Sequence, residues 1–190
     1  LNEARLWTIR CQWKNESSKA SLEETLYFIS ELKEDDRFGR KQSLRSLAHT
    51  MASEIYQFYG EIDSALTHLE KSADYAENRL DRMNAHYSIA IRAYEEGRLN
   101  IALENYRKVI SSHPNPKRVE ASHLQIVRIY RETKMWTEAS EEIEELTTNE
   151  KFSNIKSDLS LELAKLYEMQ GRDDEAKKRY EVITEDFPKT

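Results

Sequence analysis

The sequence predicts an all-α chain: a right-handed superhelical solenoid of antiparallel helix pairs, about five pairs with a period of 37 residues. Three observations carry this. Two stretches echo each other: "GRLNIALENYRKVISSHP" (Gly97 to Pro114) and "GRDDEAKKRYEVITEDFP" (Gly171 to Pro188) both run Gly-Arg, then Ala five, Tyr nine and Pro seventeen residues after the Gly. The echo extends to a register, because Ala65, Ala102, Ala139 and Ala176 are spaced by 37 each time. Twelve residues before each Ala stand Ser53, Ala90, Val127 and Ala164; nine before stand Tyr56, Ala93, Tyr130 and Tyr167; five before stand Gly60, Gly97, Lys134 and Gly171. A fixed period in this range marks stacked supersecondary units. Third, the composition suits long helices: 34% of residues are charged, and only four Gly and three Pro interrupt 190 residues.

Each element follows from its own pattern. "NEARLWTIRCQW" and "SLEETLYFISEL" form an N-terminal pair joined by a turn at Asn15 to Lys19, a degenerate unit over residues 1–38. Units follow over 39–79, 80–116, 117–152 and 153–190, all in one domain of residues 1–190. The last unit shows the logic best. In "SDLSLELAKLYEMQG", Leu159, Leu163, Ala164 and Tyr167 form an apolar stripe at helical period. Gly171 ends that helix in a left-handed conformation. "DDEAKKRYEVI" restarts the run, with Asp173 expected as N-cap and Ala176, Tyr180 and Ile183 as the new stripe. Pro188 closes it. The small Ala lets the two helices approach, the aromatic four residues on fills the gap beside it, and no pair buries its stripe without a neighbour.

With Ser160-x2-Leu163-Ala164-x2-Tyr167, Ala176-x3-Tyr180 and Pro188, the last unit resembles a tetratricopeptide repeat (TPR), with Ser160 where that family often has Trp. The unit from Met83 to Pro114 resembles one too, with Ala93 in place of the usual Tyr, and the units around Ala65 and Ala139 keep the spacing without the closing Pro. The resemblance implies a scaffold that binds other proteins, its first helices lining a concave face. "EARLW", the loop "ELKEDDRF" (Glu31 to Phe38) and "ALENYRKVISSHPNPKRVEASHLQIVRIY" are also similar to repeat arrays of Bacteroidetes outer-membrane lipoproteins of gliding motility and type IX secretion, the SprE/PorW type. That second resemblance implies the periplasmic side of the outer membrane and a lipidated anchor upstream; otherwise the expectation is cytoplasmic. Leu1 is not an initiator Met, so the chain is expected to be a fragment of a longer protein.

Charge and composition narrow the function classes. A net charge of −6 and a pI near 5.5 make a phosphate backbone a poor partner, and no apolar run reaches the roughly 20 residues of a membrane span. No phosphate-binding loop, catalytic triad order or metal-ligand spacing occurs, so neither enzyme activity, cofactor nor metal is expected. Cys11, alone, offers no disulfide and is expected as a small buried filler beside Leu6 and Trp7. His49, His86 and His123 recur at 37; equivalent positions on successive helices lie roughly 8–10 Å apart, too far to share an ion bound at about 2 Å. They are expected to pack against the preceding unit, while His68 and His113 show no pattern. The acidic run Glu138 to Glu150 reads as a solvated outer face.

The inward positions of the first helices are then Thr50, Glu54 and Gln57; Tyr87, Ile91 and Tyr94; Leu124, Arg128 and Arg131; and Leu161, Lys165 and Glu168. Tyr87, Ile91, Tyr94, Leu124, Arg128, Arg131, Leu161 and Lys165 combine aromatic, aliphatic and cationic side chains, as binding hot spots do. They are the expected groove for a protein or peptide partner, and Arg128 and Arg131 are expected to be exposed charges of little weight in stability. The two-carboxylate clamp that chaperone-binding relatives use would need Lys, Asn and Arg where this chain has Thr50, Glu54, Ser88, Ala121 and Gln125. The alternative is a regulatory sensor array fused to an enzymatic or DNA-binding output domain.

Overall fold

The helix breaks fall where the 37-residue register puts them. A computed structural model describes residues 2–16, 18–32, 40–112 and 115–186. Among these residues there is no strand. The chain divides into two compact units, 1–114 and 115–190. The first holds α1 (Asn2–Glu16), α2 (Lys19–Glu31), α3 (Arg40–Phe58), α4 (Ile62–Asp74), α5 (Arg79–Glu95) and α6 (Leu99–Ser112). The second holds α7 (Pro116–Glu132), α8 (Trp136–Thr148), a 3-10 segment (Glu150–Ile155), α9 (Lys156–Met169) and α10 (Asp173–Asp186). Within each unit, consecutive helices pack as pairs, and the second helix of one pair packs on the first of the next. Most of the loop Glu31 to Phe38, together with His113, Pro114 and Pro188, lies outside the described residues.

The marker alanines are where the helices meet. Ala65, Ala102, Ala139 and Ala176 are all buried, at most 4% exposed, and so are Ser53, Ala90, Val127 and Ala164 on the facing helices. Tyr106, four residues after Ala102, is 1% exposed, as the stripe requires. In the first unit Leu6, Ile9, Phe28, Leu32, Ala48, Met51 and Ile55 form one core, and Leu66, Leu69 and Ile89 another. Each fully buried Leu, Ile or Phe is worth roughly 1.5–3 kcal/mol. The degenerate N-terminal pair therefore shares a hydrophobic core with α3 of the next pair. In the second unit Val127, Ile143, Leu146, Ile155 and Leu159 cluster.

One turn geometry recurs inside four pairs. Gly60, Lys134, Gly97 and Gly171 all have positive φ, from 61° at Lys134 to 77° at Gly60. At each, the next residue's N–H reaches back five positions: Glu61 to Tyr56 (2.9 Å), Arg98 to Ala93 (2.7 Å), Met135 to Tyr130 (2.8 Å) and Arg172 to Tyr167 (2.9 Å). This is a Schellman closure, which needs a left-handed residue and satisfies carbonyls at the helix end. The residue just after it then starts the second helix, since its carbonyl accepts from the marker Ala: Glu61 from Ala65, Arg98 from Ala102, Met135 from Ala139 and Arg172 from Ala176. Asp173 is thus the first residue of α10 and not its cap; the carboxylates of Asp173, Asp174 and Glu175 instead sit in the first turn, against the positive end of the helix dipole.

Cys11 corrects a second expectation, because it is exposed. Leu6, Ile9 and Trp13 set the inward stripe of α1, at i, i+3 and i+7. Cys11, five after Leu6, falls on the opposite side with the 46% exposed Trp7.

Candidate binding faces on the first helices

The histidines lie inside their own units, which corrects the expectation that they pack on the preceding one. His49 Nδ1 meets His68 Nδ1 at 3.0 Å, His86 Nδ1 meets Asn105 Oδ1 at 2.9 Å, and His123 Nδ1 meets Glu142 Oε1 at 2.6 Å. Each bond joins the first helix of a pair to its second, 19 residues on. His68 is therefore patterned after all, since 68, 105 and 142 are also spaced by 37. Asn105 Nδ2 donates to the Ile101 carbonyl at 2.9 Å, so its Oδ1 faces His86, whose Nδ1 must carry the proton. Burial, then the charges of His68, Lys71 and Arg45, lowers the pKa of His49 to about 4. Burial and Lys71 bring His68 to about 4 as well. Tyr75 stacks on His49, ring centroids 5.5 Å apart. The His49–His68 and His86–Asn105 contacts are neutral clasps between paired helices, whereas His123 meets a carboxylate.

On α5, the Asn78 side chain caps the helix by accepting from the Asp81 N–H at 2.8 Å. Tyr87, Ile91 and Tyr94 follow along its length, each half-buried. Tyr87 is braced edge-on by the buried Tyr106 of α6, centroids 6.1 Å apart. Of the inward residues expected on α3, Thr50 bonds to the Ser46 carbonyl (3.0 Å) and the Ser72 hydroxyl (2.8 Å). Glu54 accepts from Arg10 of α1 at 3.3 Å. Both are tied into the first unit.

On α7 and α9 the structure adds a residue that sequence reasoning missed. Glu162 of α9 is 1% exposed. Arg128 Nε donates to its Oε1 at 3.1 Å, Lys165 Nζ to the same oxygen at 3.3 Å, and Arg131 Nε to Oε2 at 3.0 Å. Burial pushes the Glu162 carboxyl up, but the Arg128 bond and the charges of Arg131, Lys165 and Arg128 outweigh it, so the group lies below its ordinary value. Arg131 also reaches Met169 Sδ at 3.4 Å, and its side chain is only 15% exposed, against 36% for Arg128 and 37% for Lys165. The expectation that Arg128 and Arg131 are exposed charges of little weight is thereby revised: a buried carboxylate holds both, and Lys165 with them. Leu124 and Leu161, one turn before Arg128 and Lys165, are half-buried, and Leu124 leans on the Val127–Leu159 core. The signal was present in the sequence, since Glu162 stands three residues after Leu159 and four before Leu166, inside the buried stripe of α9. Among the described residues no three His, Cys, Asp or Glu side chains gather as a metal site, and no helix is long and apolar enough to cross a membrane.

Comparison with known proteins agrees with this architecture. A family model of the tetratricopeptide repeat matches residues 158–190, the unit whose spacing resembles that repeat most fully. The crystal structure of the nearly identical TPR-like repeats of a putative kinesin light chain of Podosopora anserina superposes with a TM-score of 0.64 at 17% identity, covering 99% of this chain and 97% of that one. A point variant of the same repeats gives 0.61 at 16% identity, covering 99% and 96%. No curated protein matches. The closing unit matches the tetratricopeptide repeat, and the fold of the chain is TPR-like.

Proposed function

We propose that the chain is a non-catalytic protein-interaction scaffold whose first-helix faces receive a peptide segment of a partner protein. The faces are Tyr87, Ile91 and Tyr94 on α5, and Leu124, Arg128 and Arg131 on α7 with Leu161 and Lys165 on α9. The supporting observation is that all eight side chains are half-buried. Tyr87, Leu124, Arg128, Arg131 and Lys165 are braced within their own units, and all eight keep one side open, which lowers the ordering cost a partner meets. The reading calls for no cofactor, metal or nucleic acid. Photo-crosslinking in the full-length protein tests it. A photoreactive residue at Ile91 or Leu161 is expected to trap the partner, and one at Glu141, exposed on α8, is not. Crosslinks from Glu141 alone would put the binding surface on the acidic second helix and overturn the reading.

A narrower proposal is that the scaffold serves a secretion or gliding machinery on the periplasmic side of an outer membrane. It rests on the sequence stretches that resemble those lipoproteins. Labelling of intact and permeabilised cells with an impermeant biotin reagent tests it; labelling that needs a broken inner membrane points to the cytoplasm.

A further inference from the structure

Glu162 gives the α7–α9 face a polarity that its composition does not reveal. Its Oε1 receives Arg128 Nε and Lys165 Nζ together, so a guanidinium and an ammonium from two helices are fixed on one oxygen. At the other end Arg131 is sealed between Glu162 Oε2 and Met169. Glu132 lies 4.0 Å from Arg131, and Glu168, next to Met169 in sequence, takes a bond from Tyr180 at 3.0 Å. Of the three cations on Glu162, Arg128 and Lys165 are the more open to solvent, 36% and 37% exposed against 15% for Arg131. Arg128 engages Glu162 through Nε, which leaves the Nη side of its fork for a second acceptor, and Lys165 has further protons to give.

We propose that Arg128 and Lys165 form a seat for one carboxylate of an acidic partner segment, with Glu162 and Arg131 as positioning residues and Leu124 and Leu161 as the adjoining apolar wall. The inference rests on the proposed function, and it narrows the partner to a segment in which Asp or Glu stands beside an aliphatic residue. The occupant is argued from charge: a chain of net −6 holds an ordered cationic pair on this face. Because the carboxylate of Glu162 fixes both donors in advance, an arriving carboxylate meets them without ordering two long side chains.

Fluorescence anisotropy on the whole chain with a fluorescein-labelled (Leu-Glu)3 peptide tests the seat. Binding at low salt is expected to be about tenfold tighter than for (Leu-Gln)3, the loss of one charge-assisted contact, and to weaken as salt is raised. Arg128→Gln and Lys165→Gln should each remove most of that preference, and Arg128→Lys should retain part of it. The control Lys177→Gln with Lys178→Gln strips two exposed charges from α10 and should leave affinity unchanged. Lys165→Gln keeps the test decisive if the arginine variants unfold, because its pair with Glu162 is local and its side chain 37% exposed. Equal binding of the Glu and Gln peptides, or an equal loss in the α10 control, overturns the seat. Crosslinking of the natural partner from Leu161 that survives Lys165→Gln would overturn the seat while leaving the face intact. Absence of crosslinking from Ile91 and Leu161 would remove the face itself.

Discussion

The His49–His68 clasp makes the first unit sensitive to acid, and the sign follows from the two pKa values. Both histidines fall from 6.5 to about 4 in the folded chain. Below pH 6.5 the unfolded chain takes up protons that the folded pair refuses, so stability declines as pH drops from about 6.5 to about 4 and levels off below. Two charged groups facing the pair reinforce this, Lys71 on α4 and Arg45 on α3, both of which repel a further cation. Two refused protons give a slope of about 2.7 kcal/mol per pH unit, half of it for each histidine. The perturbation is His68→Asn, the residue used at the equivalent position 105. Its Oδ1 still accepts from His49 Nδ1, but one titration disappears and the slope should drop to about 1.4 kcal/mol per pH unit. Urea unfolding between about pH 6.5 and 4.5 measures it, followed by tryptophan fluorescence in a Trp136→Phe background so that Trp7 and Trp13, both in the first unit, report. Carboxylates that titrate in the same window contribute equally to both proteins and cancel in the difference. Parallel stability curves for parent and variant would refute the neutral clasp.

Other outcomes follow from the turns, the markers and the buried carboxylate. Lys134→Gly should stabilise the second unit by about 0.5–1 kcal/mol, because Lys134 alone of the four turn residues bears a side chain at positive φ. Gly97→Ala should cost about 1 kcal/mol of conformational strain only, since an added Cβ meets nothing within 4 Å; urea midpoints check both. Ala102→Trp should destabilise by roughly 1–3 kcal/mol or more and exceed Ala176→Trp, which lies in the closing pair; equal, negligible shifts in melting temperature would mean the helix crossings are loose. Arg131→Met should destabilise more than Glu162→Gln, because it leaves a buried carboxylate short of its innermost partner, whereas Gln leaves cations that can turn to water; breaking buried pairs costs about 3–5 kcal/mol, and equal losses in melting temperature would contradict the asymmetry.

The architecture was legible because each repeat position has one steric job. A small residue is needed where helices cross, and Ala65, Ala102, Ala139 and Ala176 answer at 37-residue intervals. A left-handed residue is needed at each turn, and Gly60, Gly97 and Gly171 answer. Even the exception was legible by position, since Lys134 adopts the conformation its neighbours in register require. What composition could not convey was orientation around a helix: Cys11 looked like a core filler beside Leu6, yet a five-residue offset turns it outward.

The polar pairs were illegible for a different reason. A period of 37 aligns equivalent residues, but hydrogen bonds join inequivalent ones. The histidine clasp runs 19 residues, from one helix of a pair to the other, and its partner changes from His68 to Asn105 to Glu142 while the geometry persists. Only the histidines repeat in kind, so they attracted notice and their partners did not. Glu162 hides similarly, because its equivalents one and two periods earlier are Gln125 and Ser88. Yet a carboxylate on a buried stripe is tolerable only where neighbours supply charge. On stacked first helices those neighbours lie near the equivalent position one period back. Arg128 is one turn beyond Gln125, and Arg131 one turn further. The physical demand of Glu162 thus points to the arginines that meet it, and it explains why a chain rich in acid keeps an ordered cationic face there.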